Sequence, residues 1–201
     1  MNSDYLMIEY DIWAESSSQY VVGADEVGRG SIAGPIVGAS ARLSHEDLKY
    51  LEDVKDSKKI SESKRNRIYQ KINKTDIKIM YSSSSNVDID KLGINYCNTK
   101  VLNDVVSNYF KTNTLIYVDH VQGVGVEVKA LTKGEDKSIA IALASIMAKV
   151  YRDNIMIELS LKFPEYDLQN NKGYGTKKHL EAISKYGLQN FHRKTFLKKF
   201  I

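Results

Sequence analysis

Twice in this chain a short apolar run ends abruptly on a carboxylate. Leu115-Ile116-Tyr117-Val118 is almost wholly apolar, as in a strand buried on both faces, and Asp119 follows at once. Tyr20-Val21-Val22-Gly23-Ala24 also reads as a strand, and Asp25-Glu26 follow it. Strands of this kind belong to the interior of a sheet covered on both sides, which points to an α/β domain with acids at the strand ends, where side chains reach a cleft. Two acids at a strand end can also be solvated turn residues. The remaining residues decide between these readings.

Further elements follow from the pattern. Ile36–Leu43 reads as a second strand and His45–Val54 as a helix, and Ser61 can cap a helix that buries Ile68 and Ile72. Ile77–Tyr81 alternates as a strand, and Ser82–Ser85 reads as a linker. Leu92, Tyr96, Leu102, Val105 and Tyr109 keep a helical period, predicting one long helix between Asp88 and Lys111. Val126–Leu131 is another predicted strand. Lys133–Lys137 then forms a loop that feeds a long helix over Ser138–Phe163.

The charge pattern speaks to the partner. The net charge is only +4, but from Asn170 onward eight basic residues face one acid, Glu181. A second basic cluster runs through Lys55, Lys58, Lys59, Lys64, Arg65 and Arg67. Basic clusters beside acids suit a polyanion whose phosphates are gripped by cations while the acids hold metal. Nucleic acid fits this better than a membrane, since no helix opposes a basic face to a Trp/Phe-rich one. The lone Cys97 permits no internal disulfide and reads as buried filler on an amphipathic helix. Residues 1–18 carry acids and no basic leader, so a cytoplasmic setting is expected.

Magnesium takes hard oxygen ligands in near-octahedral geometry, so metal-assisted phosphodiester hydrolysis needs several carboxylates from different elements. Asp25, Glu26, Asp119 and one acid of the pair Glu135-Asp136 meet that description. A pair of Mg2+ or Mn2+ ions about 3.5–4 Å apart would activate water on one side of a phosphate and stabilise the leaving oxygen on the other. Gly28 and Gly30 allow close backbone approach to a ligand, and Arg29 adds a cation. No histidine has a partner at metal spacing, so zinc is not expected.

The stretch VVGADEVGRGSIAGPIVGASARL, Val21–Leu43, resembles the N-terminal signature of the type 2 ribonucleases H, the ribonuclease HII family. Asp56-Ser57-Lys58-Lys59-Ile60-Ser61, Tyr117-Val118-Asp119, Ala144–Asp153, Asn171–Thr176 and His192–Phe196 resemble the family's later motifs in the same order. The resemblance implies a ribonuclease H-like mixed β-sheet flanked by helices, with a small helical C-terminal lobe. It divides the chain into an N-terminal extension over 1–18, a catalytic domain over 19–168 and the lobe over 169–201.

In activity, the resemblance implies an endonuclease that cuts the RNA strand of RNA/DNA hybrids. It would also nick duplex DNA 5′ to embedded ribonucleotides, leaving 3′-hydroxyl and 5′-phosphate ends. Register with Ala144-Ser145-Ile146 favours Glu135 as the fourth acid, although most relatives resemble Lys-Gly-Asp there. Asp136 would then stand behind it or cap the helix. By the same resemblance, the backbone of Gly28-Arg29-Gly30 reads the ribose 2′-hydroxyl and Tyr174 packs at the junction of RNA and DNA, while Ser57, Lys58, Lys59 and Lys149 contact phosphates.

His120, where relatives have Gly, reads as a solvated residue or an outer proton carrier. His179 and His192 read as structural or phosphate-facing. A type 3 ribonuclease H is an alternative, favoured by Glu135 but opposed by the short segment before Asp25; an inactive nucleic-acid-binding module is another. A monomer is expected. The closing Phe196–Ile201 segment reads as a packed amphipathic element, or as a contact for a sliding clamp.

Overall fold

The computed structural model describes residues 7–16, 19–54, 60–110, 112–119, 124–125 and 128–198. Its centre is a five-stranded mixed sheet in the order β3-β2-β1-β4-β5. The strands are β1 (Tyr20–Val27), β2 (Ile36–Leu43), β3 (Lys78–Ser84), β4 (Thr114–Asp119) and β5 (Val128–Leu131). β1, β2 and β3 form an antiparallel meander, while β4 runs parallel to β1 and β5 parallel to β4.

Alternation along the central strands builds two cores. Val21 and Tyr117 pack with Ile139–Met147 of the 24-residue helix α5 (Ile139–Lys162). Val22, Ala24, Ile116 and Val118 face the other way, onto Leu102, Val105 and Val106 of α4 (Ile94–Val106). The period of two along a strand therefore assigns odd positions of β1 to α5 and even ones to α4. Gly23 allows α5 to lie against the sheet, because a Cβ there would stand 2.2 Å from the Ile141 nitrogen. These layers are the expected α/β sheet flanked by helices.

Several local readings change. β1 continues to Val27, so Asp25 and Glu26 lie inside the strand, opposite Ala39 and Gly38 of β2. The serines expected as a linker are strand instead: Ser82, Ser83 and Ser84 pair with Gly38, Val37 and Ile36, and only Ser85 leaves the sheet, as N-cap of α3 (Asn86–Leu92). The single helix expected over Asp88–Lys111 is two, because Gly93 sits at φ 87°, where the α3 chain turns into α4. Leu92 and Tyr96, expected to pack inward, are exposed beside that break. His45–Tyr50 is a 3-10 turn. The helix capped by Ser61 is α2 (Glu62–Ile72), with Ile68 and Ile72 buried as expected.

Chain ends close the structure. Helix α1 (Ile8–Glu15) buries Glu9 and Trp13 against the α5 side of the sheet. After α5 come the short helix α6 (Leu168–Asn171), then α7 (Lys177–Tyr186) and α8 (Lys194–Leu197). Tyr166, Ala182, Ile183, Phe191 and Leu197 share a core with Met156 of α5 and with Ile32 and Ala33, which follow the Gly28–Gly30 segment. Among the described residues no helix is long and apolar enough to cross a membrane.

Candidate active site

The parallel register of β1 and β4 pairs Tyr20 with Thr114 and Ala24 with Val118. One step further, Asp25 and Asp119 lie level at the C-terminal ends of adjacent strands, the place where parallel sheets open onto a crevice. Asp25 accepts from the Glu26 backbone nitrogen at 2.8 Å and is hydrogen-bonded to Ser145 of α5. Asp119 Oδ1 accepts from the Gly134 nitrogen at 2.9 Å. Burial, then the charge of Glu26 and more weakly that of Asp119, pushes the Asp25 carboxyl up to about 7 against two opposing hydrogen bonds.

Glu26 stands differently. Neighbours along a strand point to opposite faces, and Glu26 accordingly pairs with Asn98 on α4 while Asp25 pairs with Ser145 on α5. Burial raises its pKa, Arg29 opposes this and Asp119 adds to it. The sequence pair Asp25-Glu26 is therefore not one bidentate unit: its members flank the strand end from two sides.

The acids before α5 lie in a 3-10 turn over Gly134–Asp136, entered through Lys133 at φ 55°. Glu135 is half-buried and Asp136 is exposed. Neither caps α5. The cap is Ser138, whose hydroxyl accepts from Ile141 N at 3.2 Å and donates to Glu9 Oε1 at 2.5 Å. Glu9 Oε1 also accepts from Ala140 N at 3.1 Å, and Ile8 N donates to Lys137 O at 3.0 Å. Helix α1 thus holds the C-terminal side of the turn that carries Glu135. Gly134 is buried beneath Asp119, where a Cβ would lie 3.5 Å from the Asp119 Cβ and 2.6 Å from Ile141 Cδ1.

Among the described residues no three His, Cys, Asp or Glu side chains converge as a finished metal cage. The donor set nevertheless suits a hard divalent cation, since Asp25, Glu26 and Asp119 bring carboxylate oxygens from two strands together and their like charges oppose one another.

Next to the acids, Gly28 sits at φ 96°, and a Cβ on it would be 2.2 Å from Arg152 Nε. Gly30 faces open space, and Arg29 is exposed and donates to Asn95 Oδ1 at 3.0 Å. Two fully buried arginines hold the backbone from Arg29 to Pro35 by its carbonyls, and one of them also reaches Lys172. Arg152 donates to Pro35, Lys172 and Ala33 at 2.9, 2.8 and 3.0 Å. Arg193 donates to Gly34 at 3.0 Å and Arg29 at 3.1 Å, and its Nη2 is buried without a hydrogen-bond partner. Tyr174 is exposed, with the Arg152 guanidinium 5.7 Å from its ring centre, and Gly173 O accepts from Ile32 N and Ala33 N. The structure thus ties Gly28–Gly30 and Tyr174 to one scaffold. Lys149 is paired with Asp153 at 2.7 Å.

Sequence reasoning missed the buried arginines, Glu9, Ser145, Asn98 and one pairing. His179 and His192, read as structural or phosphate-facing, meet with their Nε2 atoms 3.2 Å apart in the interior. They are 13 positions apart on different elements; no local pattern marks such a pair. Ser57, Lys58 and Lys59, expected to contact phosphates, and also His120, lie outside the described residues.

Comparison with known proteins places the chain in a family and a fold. The ribonuclease HII family model matches residues 22–199. A ribonuclease HII of Clostridium beijerinckii is 42% identical over 97% of this chain and 73% of its own. Among solved structures, the PCNA:RNase HII complex from Archaeoglobus fulgidus has a similar chain, with a TM-score of 0.73, 26% identity, and 90% and 96% of the two chains covered. Bst RNase HIII in complex with Mn2+ shares the fold at a TM-score of 0.69 and 20% identity, covering 91% of this chain and 66% of that one.

Proposed function

Because the chain belongs to the ribonuclease HII family, metal-dependent endonucleases that hydrolyse RNA in RNA/DNA hybrids, we propose that it also nicks duplex DNA 5′ to embedded ribonucleotides. The ends left would be a 3′-hydroxyl and a 5′-phosphate. The observation that carries this reading is the level placement of Asp25 and Asp119 on adjacent parallel strands, beside the turn that holds Glu135.

In this reading Asp25, Glu26, Asp119 and Glu135 hold Mg2+ or Mn2+. The bound ions supply an activated water and charge stabilisation for the leaving oxygen. No side chain is then needed as nucleophile, and the protein's task is positioning. The Gly134 amide orients Asp119, and Ser145 orients Asp25. The Gly28–Gly30 backbone, held by Arg193 at the Arg29 carbonyl, presents its amides to a ribose 2′-hydroxyl, the group that distinguishes a lone ribonucleotide from its neighbours. Tyr174 packs at the junction. Lys149, with Ser57, Lys58 and Lys59, meets phosphates.

A clamp contact at the C-terminus belongs to the same proposal. Leu197 is buried and Phe196 packs on the core, so the contact would fall to Phe200 and Ile201, outside the described residues.

A hybrid-cleavage assay in Mg2+ and in chelator tests the enzyme reading, with Asp25→Asn as control. We expect metal-dependent cutting by the native chain and a loss of at least a hundredfold in the variant, with hybrid binding retained, of the order seen when one key electrostatic group is removed. Binding without cleavage by the native chain in Mg2+ would instead identify a nucleic-acid-binding module.

A further inference from the structure

The buried histidines form a hydrogen-bond chain whose proton positions follow from its ends. At one end the Gln189 backbone nitrogen, which can only donate, lies 2.9 Å from His192 Nδ1. At the other end the Tyr174 carbonyl, which can only accept, lies 2.9 Å from His179 Nδ1. His192 therefore carries its proton on Nε2 and His179 on Nδ1. The 3.2 Å contact between the two Nε2 atoms then has one proton, donated by His192 to His179. Both rings are neutral, and burial holds both below the usual histidine range.

This chain runs between the two elements assigned to substrate selection. His192 forms a β-bridge with Ala33, and Arg193 N donates to Ile32 O, a few residues beyond Gly30. His179 lies in the first turn of α7, where Thr176 caps the helix, and its ring ends on the Tyr174 backbone. Neither imidazole can reach substrate, since both are fully buried.

We propose that His179 and His192 are positioning residues that fix Tyr174 relative to the Gly28–Gly30 segment and so set selectivity for a lone ribonucleotide. The selectivity part rests on the reading of Tyr174 as the junction contact; the positioning part does not. A pair that only filled the core would support the lobe without aiming Tyr174.

His179→Phe keeps an aromatic ring but removes the donor to Tyr174. His179→Asn keeps an N–H near the Nδ1 position. We expect His179→Phe to move the Tyr174 ring signal in the NMR spectrum of tyrosine-labelled protein, and the Asn variant to restore it. The ratio of kcat/KM on a single embedded ribonucleotide to that on a continuous hybrid should fall roughly tenfold in the Phe variant and recover in the Asn variant. In a Tyr174→Ala background, His179→Phe should lower that ratio no further.

An unmoved Tyr174 signal in His179→Phe, or an Asn variant that behaves as the Phe one, would overturn the proposal. If Tyr174→Ala itself leaves the ratio unchanged, junction reading by Tyr174 fails, and the Tyr174 signal still decides whether the histidines position it. Should the variants unfold, imidazole 15N shifts of the native protein decide: protons on His179 Nδ1 and His192 Nε2 support the chain, and the opposite tautomers or a charged ring refute it.

Discussion

Asp25 is placed where its charge is unfavourable until something positive arrives. Its folded pKa of about 7 lies above the ordinary 3.8, so the native state binds a proton that the unfolded chain has lost across that interval. A carboxyl raised in this way makes the metal-free protein less stable as pH rises from about 4 to about 7. Asp25→Asn removes the charge and can keep the bond from the Glu26 nitrogen. We expect the variant to be more stable than the native chain in chelator at pH 8, by about 1–3 kcal/mol after allowance for solvent screening, and to show little gain at pH 4. Thermal melts at the two pH values check this. Glu135 and Asp136 separate by exposure, and Glu135→Gln should therefore damage cleavage far more than Asp136→Asn; single-turnover rates give the order, and the reverse order would reassign the fourth acid.

At the scale of elements, α1 is what the site depends on from furthest away in sequence. Glu9 accepts from Ser138 and Ala140 across more than 120 positions, in a setting where burial raises its pKa. Glu9→Ala should cost about 1–3 kcal/mol, the penalty for orphaned buried donors, and lower kcat through the loosened Gly134–Lys137 turn. Glu9→Gln keeps an acceptor and should keep most of both. Period and capping made β2, the α2 cap and α5 legible in the sequence, because each is decided by its own residues. The serines of β3 were not, since their strand conformation comes from pairing with Ile36–Gly38. Gly93 was passed over because helical spacing of Leu92, Tyr96 and Leu102 survives a break. The strand-end acids were legible as chemistry. Their facing was not: the partners Ser145 and Asn98 come from helices on opposite faces of the sheet.

Across the whole molecule the basic residues are less free than their clustering suggests. Lys64 pairs with Asp53 at 3.1 Å, Lys172 with Glu62 at 3.3 Å and Lys149 with Asp153 at 2.7 Å. Lys64–Asp53 is exposed, and a pair of that kind contributes about 0–1 kcal/mol, so a phosphate can replace that carboxylate at little cost, whereas Asp153 and Lys172 are buried. What distinguishes this molecule is the joining of distant parts: strand ends supply Asp25 and Asp119, buried Arg193 holds Arg29 and Gly34, and buried Arg152 joins Ala33 and Pro35 to Lys172, two residues before Tyr174. We propose that this assembly places a metal-dependent cut at a ribonucleotide. Incubating duplex DNA that holds one ribonucleotide, with Mg2+ or chelator, and mapping the ends at nucleotide resolution tests it directly. We expect one nick on the 5′ side with a 3′-hydroxyl and a 5′-phosphate, in Mg2+ alone; a cut on the 3′ side, or one that persists in chelator, would refute this reading.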